Sequence, residues 1–168
     1  VETELLLVSG RSGAGKSSTA FALHDLLSVE GIRHAVIEGD ALDLAWPAPW
    51  EHRLAARNLA AVWANYRDLG YRRLVYTNTV AILEAAELAA AMGDRPRVTS
   101  VLLTASDEEV RSRLSRREDG ASLQAHVERS GKAAVVLEAQ ADTSVHRVDT
   151  DGRPVRQIAQ ALRALWIG

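Results

Sequence analysis

The sequence predicts a three-layer α/β/α fold in which a five-stranded parallel sheet is covered by helices on both faces. Three observations lead there. Short, continuously apolar runs alternate with longer helical patterns from one end of the chain to the other, the order that requires crossover helices and a parallel sheet. A glycine-rich segment, residues 10–17, lies directly between the first apolar run and a helical stretch. The 168 residues are 47% apolar and 25% charged, an ordinary globular composition, and the length suits one domain of roughly 100–200 residues.

Each element has its own local reason. Leu5-Leu6-Leu7-Val8 is apolar without alternation and stops at Ser9-Gly10, as a strand buried on both faces does. Residues 34–38, 73–77, 98–103 and 145–148 are expected as four further strands. Between them, residues 50–69 and 80–92 carry the clearest helical patterns, ending at Gly70 and Gly93, the residue favoured just past a helix C-terminus. Ser106 followed by Asp107-Glu108-Glu109 reads as a capped helix start with acids in the first turn. A final helix follows the loop Asp149-Thr150-Asp151-Gly152-Arg153-Pro154. No internal repeat or linker interrupts the pattern, so residues 1–168 are expected as one domain. Trp46-Pro47-Ala48-Pro49-Trp50 is too short to join domains and is expected as a rigid loop.

Composition excludes several classes. Twenty Lys and Arg against 22 Asp and Glu give a formal charge of −2, which argues against a bulk nucleic-acid or anionic-membrane binder. There is no cysteine, hence no disulfide scaffold, thiolate metal site or cysteine nucleophile. No apolar run approaches a membrane span, and Val1-Glu2-Thr3-Glu4 is acidic, unlike a secretory leader, so a cytoplasmic location is the expectation. Of the 20 basic residues 18 are Arg; only Lys16 and Lys132 are Lys. A lysine kept in such a sequence marks a position that needs a compact ammonium rather than a planar fork.

Lys16 is such a position. Gly10-Arg11-Ser12-Gly13-Ala14-Gly15-Lys16-Ser17 matches G-x-x-x-x-G-K-[ST] in full. In this pattern backbone N–H groups of a glycine-rich turn and the N-terminus of the next helix surround phosphate oxygens, and Ser18 opens that helix beside them. Lys16 would reach the β- and γ-phosphates and the Ser17 hydroxyl would ligate Mg²⁺. Chance produces the full pattern in a chain of this composition roughly once in a thousand. Nucleotide binding follows; the kind of nucleotide chemistry does not.

The second expected strand ends in Glu38-Gly39-Asp40. Residues two apart on an extended chain face the same way, so both carboxylates can leave the C-terminal edge of the sheet, where ligands of such folds collect. A carboxylate there can take the proton of an attacking hydroxyl or orient water around Mg²⁺. Arg113 and Arg117 are spaced i,i+4, with Arg111 and Arg116 beside them, ahead of the polar break Glu118-Asp119-Gly120.

This layout resembles the small P-loop kinases: adenylyl-sulfate kinase, gluconate kinase, shikimate kinase and chloramphenicol phosphotransferase. The resemblance covers nearly the whole chain and implies ATP as phosphoryl donor, a small-molecule acceptor and strand order 2-3-1-4-5. It casts Asp40 as the acid that holds or deprotonates the acceptor hydroxyl and Glu38 as the one nearer the metal. It also implies an arginine lid at about residues 111–130, with Arg113 and Arg117 closing over the transferring phosphate. The loop with Thr150 and Arg153 would border the adenine, and Asn58 with Arg57 is similar to an Asn/Arg element of adenylyl-sulfate kinase. The sequence departs from the pattern in the third strand, which ends Thr77-Asn78-Thr79 without an aspartate.

Trp46 and Trp50, followed by His52, Arg53, Arg57 and Asn58, supply an aromatic wall and polar groups suited to a small, partly apolar hydroxyl compound or a stacked base. Trp63 falls within a helical apolar pattern and is expected in the core. His24, His34, His126 and His146 have no metal-ligand spacing and are expected to be structural or exposed. The expectation is an ATP- and Mg²⁺-dependent kinase that moves the γ-phosphate to a hydroxyl or phosphate of a small molecule, with a nucleoside monophosphate kinase, whose arginines would grip an acceptor phosphate, as a subordinate version. The other class left open is a regulatory protein that binds the nucleotide without an acceptor, which the missing third-strand aspartate favours. A polynucleotide 5′-hydroxyl kinase gains nothing from the negative charge, and no N-K-x-D segment points to guanine recognition.

Overall fold

The computed structural model describes residues 2–168; Val1 lies outside them. Five parallel strands are ordered β2-β3-β1-β4-β5: β1 (Glu4–Gly10), β2 (Ala35–Glu38), β3 (Arg73–Thr77), β4 (Arg97–Thr104) and β5 (His146–Asp149). The helices are α1 (Lys16–Val29), α2 (Leu54–Asp68), α3 (Ala85–Met92), α4 (Asp107–Leu114), α5 (Gly120–Gln140) and α6 (Val155–Ile167). None is long and apolar enough to cross a membrane.

The apolar run of β1 feeds two cores. Successive side chains of a strand point to opposite faces, so Leu5 and Leu7 pack with Leu59 and Trp63 of α2 and Leu88 and Met92 of α3. Leu6 and Val8 pack with Leu23 and Leu27 of α1 and with Ile158, Leu162 and Trp166 of α6. A third small cluster, Val110 and Leu114 of α4 with Val127 of α5, sits apart from both. The α2 side is pinned at its edge by Asp94, which accepts from Arg67 at 2.6 Å, Trp63 Nε1 at 3.1 Å and Thr3 at 3.3 Å. Burial alone would raise the Asp94 pKa, but these donors outweigh it and hold the carboxyl below its ordinary value.

Three expected helices begin or end elsewhere. The 50–69 pattern is broken at Arg53, whose φ of 51° is left-handed, so a short 3₁₀ turn (Trp50–His52) precedes α2. The 80–92 pattern starts late: Asn78 Oδ1 accepts from Val80 N at 3.0 Å, and Ser9 Oγ accepts from Ile82 N at 2.9 Å. These bonds hold a 3₁₀ turn (Ala81–Leu83) ahead of α3. The arginine segment does not form one helix through Arg117. α4 stops at Leu114, Ser115 Oγ bonds back to Ser112 O at 2.7 Å, and Arg116 and Arg117 lie in a turn before α5. The strand expectations shift by a residue or two, except 73–77, which coincides with β3.

His24 and His34 are paired, Nδ1 of the first lying 2.9 Å from Nε2 of the second, and His34 Nδ1 donates to Ile32 O at 2.7 Å. Burial pushes the His34 pKa below its ordinary 6.5, against the backbone bond and helped by His24. The unfolded chain therefore binds the proton more readily than the folded one. This residue's contribution is complete above the unfolded pKa and is lost as pH falls towards the folded value. Urea denaturation from about pH 8 to about pH 5 should show a stability loss in the wild type that His34→Asn reduces.

Candidate active site

The glycine-rich segment follows the C-terminal end of β1, next to β4, its parallel neighbour. Gly15 stands at the N-terminus of α1, where no side chain caps the helix and no acid lies in its first turn. The first N–H groups of a helix have no intrahelical acceptor, so this end offers donors and a positive dipole to an anion. Gly13 has a φ of 86°, and a Cβ there would lie 2.9 Å from Val110 Cγ1, so the turn passes too close to α4 for any side chain. Lys16 folds across the loop, donating from Nζ to Gly10 O at 2.8 Å and Arg11 O at 3.3 Å. Burial lowers its pKa, while the charges of Asp40 and Glu38 oppose the shift.

A cavity of about 610 Å³ opens over the loop. Residues 12–18 form one wall; Asp40, Arg113, Arg117 and Arg153 reach it from three other segments, together with Glu109 and Arg116. The expected catalytic set Lys16, Asp40, Arg113 and Arg117 is thus brought to one space. So are Ser12, Gly13, Ala14, Gly15, Ser17 and Ser18.

Other expected residues are placed differently. The Arg11 side chain is 4% exposed and turns away from the cavity, donating to Ser130 Oγ at 2.8 Å, Asp107 Oδ1 at 2.5 Å and Val127 O at 3.3 Å. Thr150 is fully buried, its hydroxyl donating to Thr104 O at 2.9 Å. It also receives Arg113: Nη1 donates to Thr150 Oγ1 and to Gly13 O, and Nη2 to Thr150 O, all at 3.0 Å. Arg113 therefore ties the glycine-rich loop to the β5–α6 turn as well as facing the cavity. Arg153 donates to Asp149 O at 2.8 Å.

Contrary to the expectation for an extended chain, Glu38 and Asp40 do not leave the sheet edge together: β2 ends at Glu38, Gly39–Leu42 form a 3₁₀ turn that carries Asp40, and only Asp40 of the two lines the cavity. Asn58 Nδ2 donates to Leu42 O at 2.6 Å and so holds this turn from α2. Gly39 lies against the phenol of Tyr76 on β3; a Cβ there would come within 2.3 Å of Oη. Arg53 pairs with Glu87 at 2.6 Å. Trp46 is 94% exposed, and Arg53 and Arg57 are exposed; all three stand outside the cavity. Trp63, by contrast, is fully buried.

The donor set suits a hard cation. Ser17 Oγ and the Asp40 carboxylate offer oxygen to one space, as Mg²⁺ prefers. Among the described residues no three His, Asp or Glu side chains converge, so a bound Mg²⁺ would keep water or phosphate oxygens as further ligands. Asn78, at the end of β3 where the sequence lacks an aspartate, uses its Oδ1 within its own turn.

One polar chain has no local signal in the sequence. His126 on α5 places Nε2 2.7 Å from Ser12 Oγ, and its Nδ1 bonds Glu118. The two contacting residues are separated by 114 positions, which no spacing rule relates.

Two stability differences follow. Arg113→Ala removes the side-chain donor to Gly13 O and to Thr150 Oγ1, while Thr150 O keeps Arg153 N, and should cost about 1–3 kcal/mol in urea denaturation, whereas exposed Arg117→Ala should stay within about 0.5 kcal/mol. Gly39→Ala should cost about 1–3 kcal/mol by forcing the 3₁₀ turn off Tyr76.

No protein-family model matches the sequence, and no curated protein does. Solved structures do match in fold. The tunicamycin resistance protein of Deinococcus radiodurans superposes with a TM-score of 0.65 at 21% identity, covering 97% of this chain and 95% of that one. A gluconokinase from Sinorhizobium meliloti gives 0.61 at 20% identity, with 96% and 90% covered. The adenylyl-sulfate (APS) kinase of Mycobacterium tuberculosis, in complex with AMPPNP and APS, gives 0.59 at 22% identity, with 98% and 97% covered. Over nearly its whole length, the chain has the three-layer fold of the small P-loop kinases.

Proposed function

We propose that this protein is an ATP-dependent phosphotransferase that moves the γ-phosphate to a hydroxyl of a small molecule. The observation that carries the proposal is that Asp40, Lys16, Arg113, Arg116 and Arg117 line one cavity over the glycine-rich loop. A carboxylate facing an anion-binding loop is suited to take a proton from an acceptor that approaches the phosphate.

The roles divide by chemistry. The uncapped start of α1 and the ammonium of Lys16 bind the phosphates. Asp40 accepts the acceptor's proton, and Lys16, Arg113 and Arg117 stabilise the charge of the transferring group. Arg116 and Arg117, in the turn between α4 and α5, help exclude water from the cavity. Mg²⁺ bound by Ser17 would neutralise charge on the β- and γ-phosphates. Thr150 acts through Arg113, and Arg153 is placed for the nucleoside side of the donor. Glu38, Trp46, Arg53, Arg57 and Asn58 lie on the β2–α2 side, where the acceptor would enter past Asp40. Kinase-fold neighbours that include the adenylyl-sulfate kinase with AMPPNP support a nucleotide in the cavity. A second reading, nucleotide binding without an acceptor, is favoured by the absence of a carboxylate at the end of β3.

ADP release from Mg²⁺-ATP, measured across small alcohols, sugars, nucleosides, nucleotides and hydroxylated antibiotics, tests the proposal. An acceptor-dependent rate is expected. It should fall by about 10²–10⁴ in Asp40→Asn and vanish in Lys16→Ala with the loss of phosphate binding. Tight nucleotide binding with no acceptor-stimulated turnover would favour the second reading.

A further inference from the structure

α5 grips Ser12 twice. Ser130 Oγ donates to Ser12 O at 2.7 Å and is itself held by Arg11 Nε at 2.8 Å, while His126 Nε2 lies 2.7 Å from Ser12 Oγ. The other ring nitrogen of His126 bonds Glu118, which Ser122 Oγ also approaches at 2.5 Å. Hydrogen bonds from Ser122 and His126 hold the Glu118 carboxyl below its ordinary pKa, so it is an ionised acceptor.

The Glu118 carboxylate fixes the direction of one bond of the ring, and the charge of the ring decides the direction of the other. A carboxylate only accepts, so His126 Nδ1 carries a proton in either charge state. When the ring is neutral, Nε2 has a lone pair and accepts a hydrogen bond from the Ser12 hydroxyl, and Ser12 then shows the cavity only oxygen lone pairs. When the ring is protonated, Nε2–H donates to Ser12 Oγ, and the hydroxyl proton is free to turn into the cavity. A phosphate oxygen there meets repulsion in the first state and a donor in the second.

We propose that His126 is a positioning residue that couples phosphate binding in the loop to uptake of a proton, by setting whether the Ser12 hydroxyl faces the anion as acceptor or donor. The proposal rests on the phosphate-binding reading of residues 10–17, and on neither the acceptor nor phosphoryl transfer. The charged groups around the ring are Glu118 from the α4–α5 turn, Arg129 farther along α5, and the Arg11–Asp107 pair beside Ser130. Arg11 is bound to Asp107 and Arg129 acts on Glu118, so the carboxylate on Nδ1 is the direct partner of an imidazolium.

Isothermal titration calorimetry with Mg²⁺-ADP tests this. Wild type, Ser12→Ala and His126→Gln are compared from about pH 8.5 to about pH 5.5, the range in which imidazoles titrate, each in two buffers of different ionisation enthalpy. Free ADP titrates its terminal phosphate in the same range, a contribution common to all three proteins, so the difference between them is the readout. The wild type is expected to take up additional protons, approaching one per ADP. Its affinity relative to Ser12→Ala should rise by up to about tenfold for each pH unit lowered within that window. Ser12→Ala retains His126 and its Glu118 bond, so a purely structural role of the histidine leaves its proton uptake equal to that of the wild type. Equal uptake in wild type and Ser12→Ala overturns the inference and leaves nucleotide binding standing, even if His126→Gln fails to fold. Failure of the wild type to bind ADP at any pH overturns the phosphate reading and the inference with it.

Discussion

Leu5, Leu6, Leu7 and Val8 have no exposed surface at all, and the rest of the molecule is arranged around that constraint. A strand apolar on both faces must have a sheet neighbour on each edge and a helical layer above and below it. β1 therefore takes the centre of the order β2-β3-β1-β4-β5, with α2 and α3 on one face and α1 and α6 on the other. The switch in strand order falls beside its C-terminal end, and a parallel sheet gathers its ligands there. The glycine-rich turn is thus carried to the middle of that edge by the burial of four side chains that themselves touch no ligand.

Fixing the turn needs more than the strand. Its first half is bound from outside by α5 through Ser130 and His126, and its second half from α4 through Arg113. The small apolar cluster of Val110, Leu114 and Val127 keeps α4 and α5 packed together, so both clamps act as one body. The segment that would close over a nucleotide is consequently attached to the loop that would hold its phosphates. Ser12 and Gly13 are the points at which the loop meets these two helices.

The arginines separate into two kinds. Arg11 and Arg113 are buried or half-buried, with their donors directed at named carbonyls, hydroxyls and carboxylates. They specify how loop and helices meet: Arg11 joins the loop to Asp107 and Ser130, and Arg113 joins Gly13 O to Thr150. Arg116 and Arg117 line the cavity and are exposed, free to follow an incoming anion. Lys16 lies between these cases: it is held by two loop carbonyls, yet its ammonium sits in the field of Asp40 and Glu38.

What the sequence alone determined is what short-range chemistry dictates. The five strands and the turn at residues 10–17 follow from apolar continuity and glycine. Alternation along an extended chain stops at Glu38, because Gly39–Leu42 coil into a 3₁₀ turn, and only Asp40 of the two acids lines the cavity. The order of the strands came from likeness to known kinases, because parallel strands with helical crossovers read the same along the chain in several orders. Helix ends at Arg53, Ala81 and Leu114 escaped the periodicity, because a left-handed residue and side-chain bonds to backbone decide them. Only the tertiary structure decided which arginine faces the cavity and which turns inward. Arg11 and Arg117 look alike in sequence, yet one meets Ser130, Asp107 and Val127 and the other meets solvent. The same holds for His126. Its role depends on Ser12 and on the packing of α5 against the loop, and a contact across 114 residues exists only once the core has closed.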